Sequence, residues 1–502
     1  MKRLPCFILL ALVVTTIGCS SSREAYNPQK KFSQKEVQTD YKLFRSMLEE
    51  SHPSLYWFTP KDSMNYYFDR GFNQLTDSMT ETDFKNVLSV VVNKIHCGHT
   101  SVKYSKKYIH YLDTARAKVF PLSFKVWADT IVITGNLNRY DSVFRRGTIV
   151  TKIDGLTSRQ LVDTFLNYMP GDGLGLSSKY QMLSNRGSFG TLYRSIYGLK
   201  DSLTVNYIDM YGEEKEIIIP VFNPKHLDTT NNSRDSVFAA ERRQERQRGM
   251  VLNTARYVQI DTTLSSAYMV VNTFSRGNRL RPFFRKTFRI LRQRHIQHLV
   301  IDVRSNGGGD AGISTKLTRY LADKKFKLAD SLYAVRRSSQ YGKYMQMQPL
   351  YWTFMQFVTR KRNDGHYHFG YFERHYFKPK KHHHFDGNVY IITGGNSFSA
   401  TTLFAKVLQG QHNVQIIGEE TGGGAYGNTA WMIPDVTLPN TKLRFRLPKF
   451  RLVMDKNLVK EGRGVMPDIE VGATLETVRL GIDPKTELVR RLIMRKNGVA
   501  HQ

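Results

Sequence analysis

Apolar residues recur at helical spacing in the first hundred residues of the chain. Four of them share one helical face: Val37, Tyr41, Phe44 and Leu48. Ser33 and Glu36 precede this face with the spacing of a capping box, which predicts that a helix begins there. The same periodicity returns over 63–75 and 82–95. We therefore predict a small helical domain over residues 32–115.

Short runs typical of β-strands replace the helical pattern between residues 116 and 222. They are 131–133, 148–150 and 203–205. The segment from Gly147 to Gly155 reads G-T-I-V-T-K-I-D-G and resembles a glycine-bounded segment of PDZ domains. That resemblance implies a PDZ-like β domain over 116–222, with a groove for polypeptide C-termini near residues 121–124.

Buried-strand runs alternate with amphipathic helical stretches from about residue 255 onwards. The strand runs are 268–271, 299–301, 389–392 and 414–417, and the helical stretches are 282–294 and 400–408. Alternation of this kind predicts βαβ units and a mainly parallel sheet. The expected fold class is a multidomain α/β protein, with a polar, basic linker at 223–254 and a domain at 255–490.

The composition excludes several classes of protein. The chain has 502 residues, of which 40% are hydrophobic and 23% charged, so it is neither a disordered nor a fibrous sequence. A single core does not grow to this length, which predicts several domains. The formal net charge is +31, which indicates an affinity for anionic partners.

The N-terminus has the features of an export signal. Lys2 and Arg3 precede an apolar run that is too short to span a bilayer. The run ends at T-I-G-C, which resembles a bacterial lipobox and implies a lipoprotein signal peptide at 1–18, a lipidated Cys19 and a tether at 19–31. An ordinary signal peptide or a short membrane anchor is the alternative.

The location of an exported protein determines which partners it can contact. The lipobox resemblance implies a lipid-anchored protein of the bacterial cell envelope that faces the periplasm. Ser20 stands where an Asp often signals retention in the inner membrane, and this favours the outer membrane. Export makes nucleic acid an unexpected partner. The positive charge then indicates either contact with an anionic envelope surface or a basic surface with no particular partner, and the second interpretation is slightly favoured.

Two polar segments follow predicted buried strands of the last domain. The first, from Asp302 to Asp310, reads D-V-R-S-N-G-G-G-D, and its glycines allow close approach of backbone N–H groups to a ligand. The second, from Gly394 to Thr402, reads G-G-N-S-F-S-A-T-T and leads into a helix. A serine at such a junction is either a helix N-cap or a nucleophile beside a helix N-terminus.

The two segments together resemble peptidase family S41, the tail-specific or C-terminal processing proteases. Two further segments fit its pattern: G-E-E-T-G-G-G at 418–424 and G-R-G-V-M-P-D-I-E-V at 462–471. The resemblance implies a ClpP/crotonase-like catalytic fold and no cofactor. Its register makes Ser399 the nucleophile, and backbone N–H groups of Gly308 and Ala400 are the expected oxyanion donors.

The sequence departs from the S41 pattern at one position, and this departure indicates which branch of the family it resembles. Many members use a Ser–Lys dyad, but Gly424 stands at the position of that lysine. The H-C-G-H-T segment around His99 resembles the D-G-H-T of the tricorn-core-like branch, with Cys97 in place of the Asp. Glu461 matches the glutamate of that branch, so the resemblance implies Ser399, His99 and Glu461 as catalytic residues.

The expected function is a serine endopeptidase of the envelope that cleaves polypeptides by acyl transfer and recognises C-terminal segments. The missing lysine also leaves open a non-catalytic envelope binding protein on a peptidase-like scaffold, or a hydrolase of non-peptide acyl substrates. A Cys97 nucleophile has no supporting motif. The histidines between 366 and 384 lack a metal-binding motif, so no metal is expected, and they form an insert over 338–385 that could line the substrate entrance.

Overall fold

A computed structural model describes residues 26–138, 141–224, 252–346 and 348–498. The predicted signal peptide at 1–18, Cys19, the first part of the tether and most of the linker lie outside these residues. Within them, none of the helices is long and apolar enough to cross a bilayer. The architecture is a mixed α/β fold with several sheets, which confirms the predicted fold class.

The N-terminal region is mainly helical. Its elements are β1 (Lys31–Phe32), α1 (Gln34–Ser51), α2 (Lys61–Asn73), β2 (Met79–Thr80), α3 (Glu81–Asn93), β3 (Val102–Lys103) and α4 (Lys106–Thr114). The capping box at Ser33 and Glu36 is confirmed, since each side chain accepts a hydrogen bond from the other residue's backbone N–H. The apolar face of α1 is buried, as its spacing predicts.

The middle region is an antiparallel sheet with three helices. Its elements are β4 (Leu122–Val126), β5 (Ile131–Asn136), β6 (Ile149–Ile153), β7 (Leu156–Thr157), α5 (Ser158–Leu166), α6 (Ser177–Ser184), α7 (Ser188–Tyr197), β8 (Ser202–Ile208) and β9 (Glu214–Pro220). The strand order is β4-β5-β6-β8-β9, with β7 paired to β6. This arrangement fits the predicted PDZ-like domain, and it has a hydrophobic core of its own.

The C-terminal region contains the parallel sheet. The elements in its first part are β10 (Arg256–Asp261), β11 (Ser266–Val271), α8 (Leu280–Gln293), β12 (His298–Asp302), α9 (Ala311–Thr318), β13 (Ser331–Ala334), a 3₁₀ turn (Gly342–Tyr344), α10 (Gln348–Val358), β14 (Arg360–Lys361), β15 (Tyr367–His368) and α11 (Gly370–Arg374). Those in its second part are β16 (Asn388–Thr393), α12 (Ala400–Leu408), β17 (Val414–Gly418), β18 (Gly427–Ala430), β19 (Asp435–Thr437), β20 (Arg444–Arg446), β21 (Phe450–Val453), β22 (Ile469–Glu470), α13 (Leu475–Leu480) and α14 (Pro484–Lys496).

The main sheet of this region has the order β10-β11-β12-β16-β17-β22. Strands β11, β12, β16, β17 and β22 are parallel, and only β10 is antiparallel to its neighbour. The alternation of strand and helix in the sequence is thus confirmed as βαβ units. Since parallel strands end at one edge, the loops after β12 and β16 meet there.

The N-terminal helices share their core with a late part of the chain. Val436, Leu438, Leu443, Phe445 and Leu447 are buried among the side chains of α1, α2 and α3. Strand β20 also pairs with β3, which joins the β19–β20 hairpin to the N-terminal region. The helical region predicted at 32–115 is therefore completed by residues far away in sequence, and this packing fixes the loop between α3 and β3.

Candidate active site

The turn between β16 and α12 places Ser399 in an unusual backbone conformation. Ser399 has φ 57° and ψ −119°, a region that residues with a side chain seldom adopt. Its side chain does not cap α12, although it stands at the N-cap position. The hydroxyl is half-buried and free to face the loop that carries His99. The choice of Ser399 over Ser397 fits this geometry, since the Ser397 hydroxyl donates to Val303 O at 2.8 Å.

The glycine-rich loop after β12 packs directly on this serine turn. Asn306 fixes the loop, because its side-chain amide donates to Val271 O at 2.9 Å and its backbone carbonyl accepts Phe398 N–H at 3.1 Å. A Cβ on Gly308 would lie 2.7 Å from Phe398 O and 2.8 Å from Ser399 Cβ. Only glycine therefore fits at position 308, which has φ +97°.

The predicted oxyanion donors need one correction. The N–H of Gly308 donates to the side chain of Asn306 at 2.9 Å, so it is already occupied. The next residue, Gly309, lines the cleft together with Ser399 and Ala400. Among the described residues, the N–H groups of Gly309 and Ala400 have no hydrogen-bond acceptor. Ala400 thus remains a candidate donor, and Gly309 replaces Gly308.

His99 contacts Ser399 although 300 residues separate the two in sequence. Its Nε2 lies 3.0 Å from Ser399 Oγ, and its ring packs on Phe398 with the centroids 4.7 Å apart. Burial, with a contribution from the Arg446 guanidinium, lowers the pKa of His99 to about 3. The ring is therefore neutral at physiological pH, which is the form that accepts a proton.

Cys97 is packed rather than reactive. Its side chain is buried, and its Sγ lies 3.9 Å from Thr429 O. Burial raises the pKa of this thiol to about 12, so the thiolate needed for attack does not form.

The carboxylate that faces His99 belongs to Asp172, not to Glu461. The side chain of Asp172 is buried, and its Oδ1 lies 3.9 Å from His99 Nδ1. Glu461 is exposed, and the described residues show no contact between it and His99. The reason lies in the backbone beside it: Gly462 O accepts the N–H groups of Leu174 and Gly175 at 2.8 and 3.2 Å. The chain at 462 thus holds the loop of Asp172 against the site.

Asp172 sits on the glycine-rich loop between α5 and α6 of the middle region. The N–H of Gly98 donates to its Oδ1 at 2.7 Å, which ties this loop to the segment of His99. Burial raises the pKa of Asp172 to about 7, and the amides of Gly98 and Gly424 oppose that rise. Within the described residues, His99 Nδ1 and Asp172 Oδ2 are buried without a hydrogen-bond partner.

Sequence reasoning missed Asp172 because no motif of the resembled family falls on it. The available signal was the run P-G-D-G-L-G at 170–175, where glycines surround one acidic residue. A loop of that composition in the middle of a β-rich region is typical of a functional segment. It does not reveal which distant histidine the carboxylate meets.

Gly424 leaves no room for the side chain of a dyad lysine. A Cβ at this position would lie 2.6 Å from Gly427 O. The backbone of Gly424 is held in an isolated bridge with Gly464. The segments at 418–424 and 462–471 are further joined by Glu420, which accepts two hydrogen bonds from Arg463 at 2.9 and 2.8 Å. The first segment also packs against the serine turn, since a Cβ on Gly423 would lie 3.0 Å from Ser399 N.

A cleft of about 620 Å³ opens above Ser399. Its lining includes Gly309, Ala400 and Leu403 together with residues 428 and 430–433. Phe372 of the aromatic insert also lines the cleft, in agreement with a place for that insert near the substrate entrance. The cleft is large enough for several side chains of an extended peptide.

The histidines of the insert serve local structure. His368 lies between two carboxylates, with Nδ1 2.6 Å from Glu373 and Nε2 2.8 Å from Asp364. His384 contacts Asp386 at 2.7 Å. Across the part of the chain that is described, no group of three or more His, Cys, Asp or Glu side chains is arranged to hold a metal ion.

A family comparison agrees with the site. Residues 265–471 match the family described as Peptidase family S41. This part of the chain is therefore similar to that family, and we call it the S41 domain. It contains Ser399, Gly309 and Ala400, whereas His99 and Asp172 come from the regions before it. The match supports a serine peptidase that acts on polypeptides.

Solved structures resemble the whole chain rather than the S41 domain alone. Mature CPAF has 14% sequence identity and a TM-score of 0.62, with 92% of this chain and 96% of that chain covered. Mature CPAF complexed with lactacystin has 13% identity and a TM-score of 0.63, covering 93% and 99%. At this identity the likeness shows the fold. Comparison with curated protein sequences gave no match.

Proposed function

We propose that the protein is a serine endopeptidase of the bacterial envelope that cleaves polypeptides through an acyl-enzyme. One observation carries the proposal: Ser399 Oγ lies 3.0 Å from His99 Nε2, at the base of an open cleft in the S41 domain. A serine hydroxyl needs a base within hydrogen-bond reach, and His99 provides one in its neutral form.

In the first step, Ser399 Oγ attacks the peptide carbonyl while His99 Nε2 takes the hydroxyl proton. Negative charge then develops on the carbonyl oxygen. The amides of Gly309 and Ala400 are free to stabilise it, and each such donor contributes roughly 3–4 kcal/mol in related sites. His99 next gives the proton to the leaving amine, and a water molecule hydrolyses the ester by the same route.

Asp172 is the residue that we propose to orient His99. The two groups lie 3.9 Å apart, so a small shift of either side chain would bring Asp172 within hydrogen-bond reach of His99 Nδ1. Hydrogen bonds of this kind are often long before substrate binds and shorten afterwards. The same bond would satisfy two buried atoms that now lack partners. Its ionised form would stabilise the imidazolium that forms during attack.

The preference for C-terminal segments belongs to the same proposal. Strand β4 lies at the edge of the middle sheet with α6 beside it, and in the resembled PDZ domains a peptide binds between a strand and a helix. At its end, the N–H of Val126 donates to Ser184 Oγ of α6 at 3.0 Å, so a bound peptide would need to use the rest of the strand.

Anchoring through a lipid on Cys19 completes the proposed setting, with the outer membrane favoured. It rests on the lipobox resemblance, and the positive charge would hold the domains near an anionic envelope surface. Growth of the source bacterium with a radiolabelled fatty acid tests it. Label should enter the wild-type protein and be absent from Cys19→Ala, and equal labelling of both would refute the anchor.

The enzymatic proposal is tested with unfolded polypeptide substrates. Wild-type protein should cleave them, and Ser399→Ala should not. Ser305→Ala is the matched control, because Ser305 is exposed and lines a different cavity. Equal cleavage by the wild type and Ser399→Ala would exclude this serine as the nucleophile. Absence of cleavage by a folded wild-type protein would favour a non-catalytic binding protein.

A further inference from the structure

The cleft above Ser399 has an excess of positive charge. Its lining includes Arg276, Arg281 and Arg446, against the single carboxylate of Asp310. That carboxylate is already in use, because Arg276 Nε lies 2.5 Å from Asp310 Oδ2 and Ile313 N–H donates to Oδ1 at 3.1 Å. Two guanidinium groups therefore remain in the cleft for another partner.

Arg446 is the better placed of the two. It is half-buried on β20, and its backbone N–H donates to Ser101 O, two residues from His99. Among the described residues, its guanidinium has neither an ion-pair partner nor a hydrogen-bond acceptor. Other arginines in comparable positions are paired: Arg444 on the same strand lies 3.1 Å from Asp435, and Arg304 lies 3.0 Å from Asp302.

A cation that loses water without gaining a partner is destabilising, so an unpaired half-buried arginine in a cleft indicates a ligand of opposite charge. Arg281 faces the same space from the first turn of α8 and is exposed. Its guanidinium also has no acidic partner in the described parts of the chain. The two arginines thus line one cleft from different elements, α8 and β20.

The cleft that Arg446 and Arg281 line also contains a buried hydrogen-bond acceptor. Asn428 is buried on β18 and lines the cleft, and its Oδ1 has no hydrogen-bond partner. A peptide main chain supplies the N–H that this atom lacks, while a carboxylate supplies the partner that Arg446 lacks. A neutral peptide satisfies only the first of these two groups.

We propose that the cleft selects polypeptides with a carboxylate next to the scissile bond, bound by Arg446 with Arg281 at the rim. This inference rests on the proposed peptidase function and names its substrate class. A guanidinium binds a carboxylate with two parallel charge-assisted hydrogen bonds, so the preference should be strong. The carboxylate belongs either to an Asp or Glu side chain or to the chain terminus.

The test begins with cleavage sites mapped in an unfolded polypeptide. Peptides are then made around one site in matched pairs: Glu against Gln at each flanking position, and a free C-terminal carboxylate against an amide. Wild-type kcat/KM should favour the charged member of one pair by about tenfold or more. The pair that responds identifies the source of the carboxylate. Equal rates for every pair would overturn the inference.

Variants assign the preference to the arginines. Arg446→Gln should bring the charged-to-neutral ratio close to one, and Arg281→Gln should reduce it in part. Arg285→Gln is the matched control, because Arg285 lies on α8 one turn further along, is exposed and does not line the cleft. An unchanged ratio in Arg446→Gln would refute its role. The ratio separates recognition from a general loss of rate.

Binding to Ser399→Ala separates this inference from the peptidase proposal. Fluorescence anisotropy with the same labelled pairs should show tighter binding of the charged member, again by about tenfold. If the wild type cleaves nothing but this difference is present, the peptidase proposal fails and the carboxylate site stands. If cleavage occurs and Ser399→Ala binds both members equally, the carboxylate site fails and the peptidase proposal stands.

Discussion

At the scale of single residues, the site depends on which carboxylate supports His99. Asp172 is buried 3.9 Å from Nδ1, whereas Glu461 is exposed and has no contact with the ring. A carboxylate beside the histidine fixes its tautomer and stabilises its charged form, and an exposed carboxylate on another face does neither. Substituting Asp172 and Glu461 separately therefore distinguishes which of the two carboxylates supports His99.

Asp172→Asn should reduce kcat by roughly 10²- to 10⁴-fold, because an amide of the same shape lacks the charge that stabilises the imidazolium. Glu461→Gln should leave kcat within about twofold, as expected for an exposed side chain away from the chemistry. The measurement is steady-state cleavage of an unfolded polypeptide, with circular dichroism as a check on folding. The reverse order of effects would restore the role that the family resemblance assigns to Glu461.

The pH dependence follows from the same two residues. The pKa of His99 is lowered to about 3, so it stays neutral throughout the usual range, whereas that of Asp172 is raised to about 7. As pH falls through about 7, Asp172 takes up a proton and ceases to stabilise the imidazolium. The kcat/KM of the wild type should therefore fall as the pH is lowered below about 7. A descent near pH 7 that persists in Asp172→Asn would contradict this assignment.

Sequence patterns predict some of these residues but not all. Ser399 and His99 lie in segments that resemble family motifs, and the structure brings their side chains together. Gly308 is the expected oxyanion donor from the sequence, which does not show that Asn306 accepts its N–H. Asp172 was missed because its approach to His99 joins regions that have separate sequence patterns.

At the scale of elements, the loop after β12 and the turn before α12 work as one unit. Asn306 holds both, and the positive φ of Gly308 lets the loop approach Ser399. The strained conformation of Ser399 persists because this packing determines it. Strand runs and capping boxes predict the elements themselves, but they do not predict this contact between loops.

Gly308→Ala tests the contact. A Cβ there would lie 2.7 Å from Phe398 O at a backbone φ of +97°, so the variant should lose stability, by about 1–3 kcal/mol, and most activity. Gly307→Ala is the control, since a Cβ on Gly307 has nothing within 4 Å. Thermal unfolding and peptide cleavage check both effects. Equal behaviour of the two variants would show that the loop does not depend on the close approach at 308.

At the scale of the whole molecule, the site is assembled from three regions of the chain. The N-terminal region supplies His99, the middle region supplies Asp172 and the S41 domain supplies Ser399. The packing of residues 436–447 against α1–α3 holds the first and last of these together. The sequence predicted the order of the regions, but local periodicity carries no information about a core shared between distant parts of the chain.

Phe445→Ala tests this shared core. Phe445 is fully buried, and its ring lies 5.1 Å from that of Phe44 on α1. Its removal should cost about 3–5 kcal/mol of folding free energy, as for other buried aromatic residues. It should also lower kcat, since it loosens the anchor of the His99 loop. Phe357→Ala, at an 85% exposed position, is the control. Chemical denaturation measures the first effect, and an unchanged midpoint would contradict the shared core.

The most direct test of the central claim is covalent labelling by a serine-directed fluorophosphonate, with the modified residue located by mass spectrometry. The account predicts label on Ser399, slowed by roughly 10²-fold or more in His99→Ala, because the base no longer activates the hydroxyl. The exposed His110→Ala should label at the wild-type rate. Label on another residue, or an equal rate in wild type and His99→Ala, would contradict the Ser399–His99 pair as the catalytic centre.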